Sequence, residues 1–186
     1  MTFPFHDETS APEAARADLA ATRAELGLIP NLERTMASAP PLLKAYTAAW
    51  ALFEETSLDP VERQVVMLAA SVANGCDYCV PWHSFLAREA GMAEADLAAL
   101  RGGRPLESPR LDALRCFTQA LIHARGQVTP AERDAFLAAG YTRQQALDVV
   151  LGIAVKAMSN TTNALAKLPL DPEVEGLAWT PPPAEG

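Results

Sequence analysis

The stretch Ala73-Asn-Gly-Cys-Asp-Tyr-Cys-Val-Pro-Trp-His83 places two thiols and an imidazole at spacings of three and four residues. On a helix, Cys79 and His83 share one face, because residues four apart lie one above the other. The step from Cys76 to Cys79 is about one helical turn, so their sulfurs could form a disulfide if Cys76 lies at the helix start. The stretch therefore predicts a dithiol with a neighbouring base.

The position of this dithiol along the chain matters for its chemistry. Asn74-Gly75 is typical of a helix C-terminus, and the next helix is expected to run to about Ala90. Cys76 would then lie near the N-cap of that helix and Cys79 within its first turn. A helix N-terminus carries about half a positive charge, which lowers a cysteine pKa from its free value of ~8.5. The placement therefore predicts a reactive thiolate.

Outward from this stretch, the whole chain is predicted to be helical. Helix starts are marked by proline at the first helical position or by capping boxes, and apolar residues recur at helical spacing between them. Further helices are expected at 12–26, 32–36, 41–56, 61–72, 93–101, 109–126, 130–140 and 142–165. Because no pattern of period two occurs, the predicted fold class is all-α. We expect a single domain over 1–186, with an irregular arm at 1–11 and a Pro-rich tail at 168–186.

A weak internal repeat suggests how the helices are arranged. The segment Leu58-Asp-Pro-Val-Glu-Arg63 recurs as Val128-Thr-Pro-Ala-Glu-Arg133, and each copy joins an apolar helix to a second helix. Two similar helical hairpins packed face to face would bury both apolar stripes. We therefore expect a helical bundle in which the first hairpin carries the dithiol and the second is scaffold.

Composition limits the partners. The chain has 186 residues, a formal net charge of -8 and a sequence pI near 4.9, which argues against nucleic acid or an anionic membrane as a partner. No basic region followed by an apolar run opens the sequence, and no apolar stretch is long enough to span a membrane. We expect a cytoplasmic protein whose partners are small molecules and other proteins.

Three cysteines, an odd number, do not suggest a structural disulfide framework. A Cys-x-x-Cys motif fits redox chemistry or metal binding, and His83 on the same face favours redox use. Zinc would need a fourth ligand, and neither His6 nor His123 has a spacing that suggests one. No metal or cofactor is therefore predicted. Cys116 lies within an apolar helix pattern and is expected to be an inert core residue.

The stretch Glu62-Arg-Gln-Val-Val-Met-Leu-Ala-Ala-Ser-Val-Ala-Asn-Gly-Cys-Asp-Tyr-Cys-Val-Pro-Trp-His83 resembles the core of the carboxymuconolactone decarboxylase superfamily, in its alkylhydroperoxidase D-like, peroxidase-related branch. The resemblance extends over about residues 40–165 and implies an all-helical, usually oligomeric antioxidant enzyme. It also implies that Cys79 attacks the peroxide, that Cys76 resolves the sulfenic acid as a disulfide, and that His83 belongs to a proton relay.

The sequence departs from this family at one position. The relay usually includes a glutamate twelve residues before the first cysteine, and Gln64 occupies that position here. A glutamine can hold a hydrogen bond but cannot take a proton. Glu62 is the nearest carboxylate and possible support, yet two residues correspond to about 200° round the helix. The base would otherwise have to come from another residue.

Four further residues have two open interpretations. Tyr78 and Trp82 flank the motif, and they either line a substrate pocket or simply pack the core. Asn160 and Asn163 lie near the end of the last helix, and they either hydrogen-bond its final turn or cap a neighbouring site.

The resulting hypothesis is a thiol-dependent hydroperoxide reductase that uses a peroxide substrate and a dithiol or protein reductant. One alternative is a non-catalytic or weakly active helical oligomer whose dithiol senses oxidation. A carboxymuconolactone decarboxylase-type lyase is less favoured, because such members typically lack the cysteine pair. We also expect a homo-oligomer, since the apolar helices at 61–72 and 146–158 leave few others to enclose them.

Overall fold

The computed structural model describes residues 2–181, and within them the chain is helical with no β-strand. The prediction of an all-α fold is confirmed, and the predicted helices agree with the structure to within a few residues at most ends. The elements are α1 Glu13–Leu26, α2 Asn31–Met36, α3 Pro40–Glu54, α4 Pro60–Ala73, α5 Cys79–Glu89, α6 Glu94–Arg101, α7 Pro109–His123, α8 Pro130–Ala138, α9 Arg143–Ala166 and a 3₁₀-helix Pro172–Leu177.

Helix α4 is the centre of the fold and packs against α5, α7 and α9. It begins with a capping box in which Asp59 and Glu62 each accept a hydrogen bond from the other's backbone N–H, with Pro60 at the first helical position. Beyond this first turn the helix carries almost only apolar residues, and Val65 and Val66 are fully buried. The predicted burial of this helix on most of its circumference is confirmed.

Helix α9 approaches α3 and α4 very closely at Gly152. A Cβ atom at this position would lie 2.8 Å from Phe53 Cε2 and 2.8 Å from Val66 Cγ1, so any larger residue would push the helices apart. The next turn of α9 carries Lys156. Its charged side chain is therefore brought into the centre of the molecule, where it is only 1% exposed.

The second copy of the repeat packs differently from the first. Helix α8 also begins with a capping box, formed by Thr129 and Glu132. It packs chiefly on α7 and buries one residue, Phe136, whose ring stacks between those of Phe117 and Tyr141. The first hairpin, α3 and α4, contacts the second hairpin, α7 and α8, through α4 and α7, while α8 lies at the edge of the bundle.

The C-terminal segment is held against the helical bundle. The 3₁₀-helix packs on α5, and both Asp171 and Val174 are buried. Trp179 donates from Nε1 to the backbone oxygen of Arg101 at 2.8 Å, which attaches the chain after the 3₁₀-helix to α6. The described part of the Pro-rich tail, residues 168–181, thus consists of loop and one 3₁₀-helix. Pro182 and Pro183 lie outside the described residues.

The expected burial of Cys116 is also wrong. Leu114 and Phe117 face the core from α7, and Cys116 lies about 200° round the helix from Leu114, so it is exposed. Helical spacing, rather than the apolar character of the segment, decides its environment. Among residues 2–181, no helix is both long enough and apolar enough to cross a membrane.

Candidate active site

The two thiols lie at the junction of α4 and α5. Cys79 is the first residue of α5 and Tyr78 is its N-cap, so Cys76 lies in the preceding turn rather than near the N-cap as predicted. Both cysteines are free and buried, at 3% and 2% exposure. The backbone N–H of Cys79 donates to Cys76 Sγ at 3.2 Å. Cys79 lines a cavity, whereas Cys76 lies behind it.

The environments of the two thiols favour a state in which Cys79 is a thiolate and Cys76 remains a neutral thiol. Burial raises the pKa of Cys79, but the hydrogen bond with Cys76 and the positive charge of Lys156 act in the opposite direction. The polar side chains of Asn160 and Ser159 act in the same direction as Lys156, and the pKa of Cys79 is lowered to about 6. The pKa of Cys76 is raised, first by its hydrogen bond with Cys79 and then by burial. The pair titrates as a unit in which Cys79 ionises first.

His83 is held between Lys156 and Gln64. Lys156 Nζ lies 2.8 Å from His83 Nε2, and His83 Nδ1 lies 3.0 Å from Gln64 Oε1. An ammonium group can only donate, so Nε2 must accept and the ring proton must be on Nδ1. Burial, and then the charge of Lys156, lower the pKa of His83 well below its usual value and keep the imidazole neutral. Gln64 Oε1 accepts the remaining ring proton.

An aromatic ring also fixes the position of His83. Trp50 stacks on the imidazole with ring centroids 5.7 Å apart and planes inclined by 23°. Tyr46, one turn earlier on α3, contacts Trp50 with centroids 6.3 Å apart. Both aromatic residues line the cavity next to Cys79. The imidazole is therefore held by two hydrogen bonds and one stacked ring.

Tyr78 and Trp82 both line the cavity and are both tied to Asp171. The Tyr78 hydroxyl donates to the Asp171 carboxylate, and Trp82 Nε1 donates to Asp171 Oδ2 at 2.8 Å. The other carboxylate oxygen accepts from the backbone N–H of Asn31 at 3.0 Å, and Tyr78 Oη accepts from Leu32 N at 3.2 Å. Asp171 thus joins the C-terminal segment, α2 and α5 at one point. Tyr78 and Trp82 therefore both line the cavity and help to pack the C-terminal segment against α5.

Asn160 and Asn163 belong to the thiol site. Asn163 Nδ2 lies 3.5 Å from Cys76 Sγ and 2.9 Å from Asp77 Oδ1. Asn160 Oδ1 accepts from Asn74 Nδ2 at 2.9 Å. The end of α9 is therefore linked by side-chain hydrogen bonds to the turn that holds the two cysteines.

The cavity beside Cys79 has a volume of about 410 Å³. Its floor, which we call the thiol floor, consists of Cys79, His83, Gln64 and Lys156. Four aromatic residues surround the space above it, namely Tyr46, Trp50, Tyr78 and Trp82. A mostly negative rim surrounds the mouth and contains Asp18, Glu25, Glu54 and Arg63. A cavity of this size and lining suits a small organic molecule.

Glu33 is a buried carboxyl group in the same cavity. It lies on α2, is 7% exposed, and its Oε2 atom has no hydrogen-bond partner among the described residues. Burial raises the pKa of Glu33 to about 8, and the charges of Asp171 and Cys79 act in the same direction. At neutral pH the group is therefore mostly a carboxylic acid.

Glu62, named above as a possible support, is not at the site. Its side chain closes the capping box of α4 and accepts from Arg110 Nη2 at 2.8 Å, because it points to the opposite side of the helix from Gln64. Within residues 2–181, no group of three or more His, Cys, Asp or Glu side chains is arranged to hold a metal ion.

Sequence reasoning missed five residues that line the cavity or hold its lining: Tyr46, Trp50, Lys156, Glu33 and Asp171. One of them had a usable signal. Lys156 is a lone charged residue within the apolar part of α9, and such a residue is buried only if a partner meets it. The other four resemble ordinary helix or loop residues in the sequence.

Comparison with known proteins supports the fold. The sequence model of the carboxymuconolactone decarboxylase family matches residues 40–119, which include both cysteines and His83. Residues 40–119 are therefore similar to the carboxymuconolactone decarboxylase family, and the fold is similar to that of an alkylhydroperoxidase AhpD core. A comparison with curated protein sequences finds no match.

Three solved structures illustrate the shared fold. A peroxidase-related protein from Ralstonia eutropha JMP134, described as an alkylhydroperoxidase AhpD core, is 23% identical with a TM-score of 0.83, over 92% of this chain and 93% of that chain. A peroxidase-related protein from Silicibacter sp. TM1040 is 20% identical with a TM-score of 0.76, over 95% and 93%. The debrominase Bmp8, solved as a cysteine-to-alanine variant with 2,3,4-tribromopyrrole, is 18% identical with a TM-score of 0.77, over 95% and 94%.

Proposed function

We propose that the protein is a thiol-dependent hydroperoxide reductase of the cytoplasm, with Cys79 as its nucleophile. The observation that carries this proposal is the position of Cys79 on the cavity floor, with its pKa lowered to about 6 and a second thiol directly behind it. A thiolate rather than a thiol attacks peroxides, so a cysteine ionised at neutral pH is suited to this reaction.

In the first step, the Cys79 thiolate attacks the terminal oxygen of a hydroperoxide. An S–O bond forms while the O–O bond breaks, so that the sulfur is oxidised to a sulfenic acid and the organic oxygen leaves as an alkoxide that takes a proton. Lys156 supports this step because its positive charge stabilises the thiolate before the attack. It also holds the neutral His83 in position.

In the second step, Cys76 attacks the sulfur of the Cys79 sulfenic acid. A disulfide forms, and the oxygen leaves as water with the proton of the Cys76 thiol. Once Cys79 has lost its charge, the N–H groups of Cys79 and Asn163 that point at Cys76 Sγ favour a thiolate on Cys76. A dithiol or a dithiol protein then reduces the disulfide.

The same geometry gives a reason for Gln64 in place of the family's glutamate. His83 needs an acceptor for its Nδ1 proton, and a neutral amide oxygen provides one without adding charge. A carboxylate there would offset the positive charge of Lys156, which lowers the pKa of Cys79. In this chain, the fixed positive charge of Lys156 stabilises the Cys79 thiolate, so that no proton-accepting relay is needed to activate the thiol.

The cavity favours organic hydroperoxides over hydrogen peroxide. Tyr46, Trp50 and Trp82 provide apolar surface that a hydrocarbon group would bury and that hydrogen peroxide cannot use. We therefore expect a higher kcat/KM for cumene hydroperoxide than for hydrogen peroxide.

Steady-state peroxide consumption with dithiothreitol tests the proposal. Wild-type protein should reduce cumene hydroperoxide over many turnovers, and Cys79→Ser should abolish the activity. Cys116→Ser is the matched control, because this thiol is exposed on α7 and lies outside the cavity lining. A Cys79→Ser protein with full activity would exclude the thiol mechanism. A wild-type protein that is oxidised only once would instead favour the redox-sensing alternative.

A second candidate function is the reductive removal of bromine from a small aromatic ring. It is favoured by the aromatic cavity above Cys79 and by the debrominase that shares the fold. The cysteine pair would supply two electrons, so that a disulfide forms, bromide leaves and the ring carbon takes a proton. Bromide release from 2,3,4-tribromopyrrole with dithiothreitol, measured beside peroxide consumption, distinguishes the two activities.

We also propose that copies of the chain associate through the outer face of α9. Of the two apolar helices, α4 is already largely buried within its own chain. On α9, however, Leu147 and Val150 are 72% and 49% exposed. Sedimentation should give an oligomer at micromolar concentration, and Leu147→Glu should shift it toward the monomer. A wild-type monomer under these conditions would contradict the proposal.

A further inference from the structure

The reduction of a hydroperoxide requires a proton for the leaving oxygen, and the thiol floor has no group free to give one. The single ring proton of His83 is held by Gln64 Oε1, and an amide does not release a proton at neutral pH. Lys156 donates to His83 Nε2, and its positive charge is needed beside the Cys79 thiolate. Among the groups that line the cavity, a proton donor therefore has to lie outside the thiol floor.

Glu33 is a buried carboxyl group that lines the same cavity as Cys79. Its carboxyl group is buried, it lines the space next to Cys79, and its Oε2 atom has no partner among the described residues. A buried polar atom without a partner is unfavourable for folding, so its presence in a cavity points to a ligand that completes its hydrogen bonding. The leaving oxygen of a substrate would complete it.

We propose that Glu33 donates the proton to the leaving alkoxide oxygen when Cys79 reduces an organic hydroperoxide, an inference that rests on the proposed function. As the Cys79 thiolate bonds to the terminal oxygen, the O–O bond breaks and the electron pair remains on the alkoxide oxygen. That oxygen takes the carboxyl proton and leaves as an alcohol. Glu33 becomes a carboxylate and regains a proton from solvent before the next cycle.

The pKa values of Glu33 and Cys79 fit their proposed roles as proton donor and nucleophile. Glu33 is faced by Tyr46 from α3, Cys79 from α5, Lys156 from α9 and Asp171 from the C-terminal segment. Burial, Asp171 and Cys79 raise its pKa to about 8, against the opposing effect of Lys156, while the pKa of Cys79 is lowered to about 6. Between these values a thiolate and a carboxylic acid coexist, which is the combination that the step requires.

The test compares Glu33→Gln with wild type on two peroxides that differ in leaving group. Cumene hydroperoxide expels a basic alkoxide that needs a proton, whereas peroxybenzoic acid expels a carboxylate that does not. We expect Glu33→Gln to lower kcat/KM about 10²-fold for cumene hydroperoxide and less than about 3-fold for peroxybenzoic acid. The fall of the wild-type rate above about pH 8 should be absent in the variant.

Controls separate this role from a structural one. Glu55→Gln changes an exposed carboxylate at the end of α3 and should leave both rates unchanged. Glu33→Leu, a second variant without a proton donor, should give the same leaving-group dependence as Glu33→Gln, and thermal unfolding reports whether each variant is folded.

The possible outcomes distinguish failure of the proposed role of Glu33 from failure of the proposed function. Equal losses with both peroxides, or no loss with either, would overturn the role of Glu33 while leaving the hydroperoxide reductase intact. A wild-type protein that reduces neither peroxide would overturn the proposed function and this inference with it.

Discussion

The thiol floor and the wall formed by α2 differ in how completely their polar groups are paired. On the floor, both ring nitrogens of His83 have partners, and Gln64 Oε1 and Lys156 Nζ are those partners. On the wall, Glu33 Oε2 has none among the described residues. The side chains of the thiol floor are therefore fixed by hydrogen bonds before a substrate binds. On the wall, Glu33 Oε2 can still form a hydrogen bond with a ligand.

This difference indicates which side prepares the nucleophile and which side meets the substrate. Prearranged charges and dipoles stabilise the Cys79 thiolate without any rearrangement during the reaction. An unpaired buried acid has the opposite property, because it gains a partner only when a ligand enters. Substitutions on the floor should therefore alter the state of the thiol, and substitutions on the wall should alter the response to the substrate.

The largest effect is expected from Cys76→Ser, which leaves the nucleophile on the floor but removes its resolving partner. The first turnover should proceed, and steady-state peroxide consumption with a dithiol reductant should fall to near zero, because no intramolecular disulfide can form. Stopped-flow measurement of one turnover, together with mass spectrometry of the sulfenic acid trapped by dimedone, checks this. Loss of the first turnover as well would assign the attack to Cys76.

Lys156→Met removes the positive charge from the floor. We expect the pKa of Cys79 to rise from about 6, because burial is then opposed by the hydrogen bond with Cys76 without the charge of Lys156. At pH 7 the rate should fall by about tenfold for each unit by which the pKa of Cys79 rises above 7. Thiolate absorbance against pH measures the shift, and Lys44→Met, an exposed lysine on α3, is the matched control. An unchanged Cys79 pKa would contradict the role of Lys156.

Glu33→Gln should change the pH dependence of stability. Because burial raises the pKa of Glu33 from its ordinary value of 4.5 to about 8, the native protein keeps a proton that the unfolded chain has released between these values. The wild-type free energy of unfolding should therefore fall by about 4 kcal/mol more than that of the variant as pH rises from 4.5 to 8. Urea unfolding at both pH values measures it, and parallel curves would show that Glu33 is ionised in the native state.

The smallest effect is expected from Gln64→Glu, which adds a charge to a floor that is already paired. The new carboxylate would face His83 and offset part of the positive charge of Lys156, so the pKa of Cys79 should rise by about one unit. The rate at pH 6 should then fall about fivefold, and less at pH 8. A higher rate at both pH values would mean that the position works best as a proton acceptor.

The sequence predicted the floor better than the wall. Helical periodicity, proline at helix starts and the Cys-x-x-Cys-x-x-x-His spacing located α4, α5 and three residues of the site, because these signals are local. Lys156 was hidden within an apolar pattern, and its burial depends on the close approach of α9 at Gly152. Glu33 lies in a short segment, Asn31-Leu-Glu-Arg34, in which nothing distinguishes a buried carboxyl from a solvated one. Its environment is created by contacts with distant parts of the chain.

The bond between Asp171 and the aromatic pair Tyr78 and Trp82 has a consequence for biosynthesis. The ribosome makes the cysteine motif long before it makes Asp171, and Lys156 is also among the later residues. A nascent chain therefore carries both cysteines without the charge that activates one of them or the carboxylate that fixes its neighbours. The thiols should behave as ordinary cysteines during translation and become reactive only when the last segment docks.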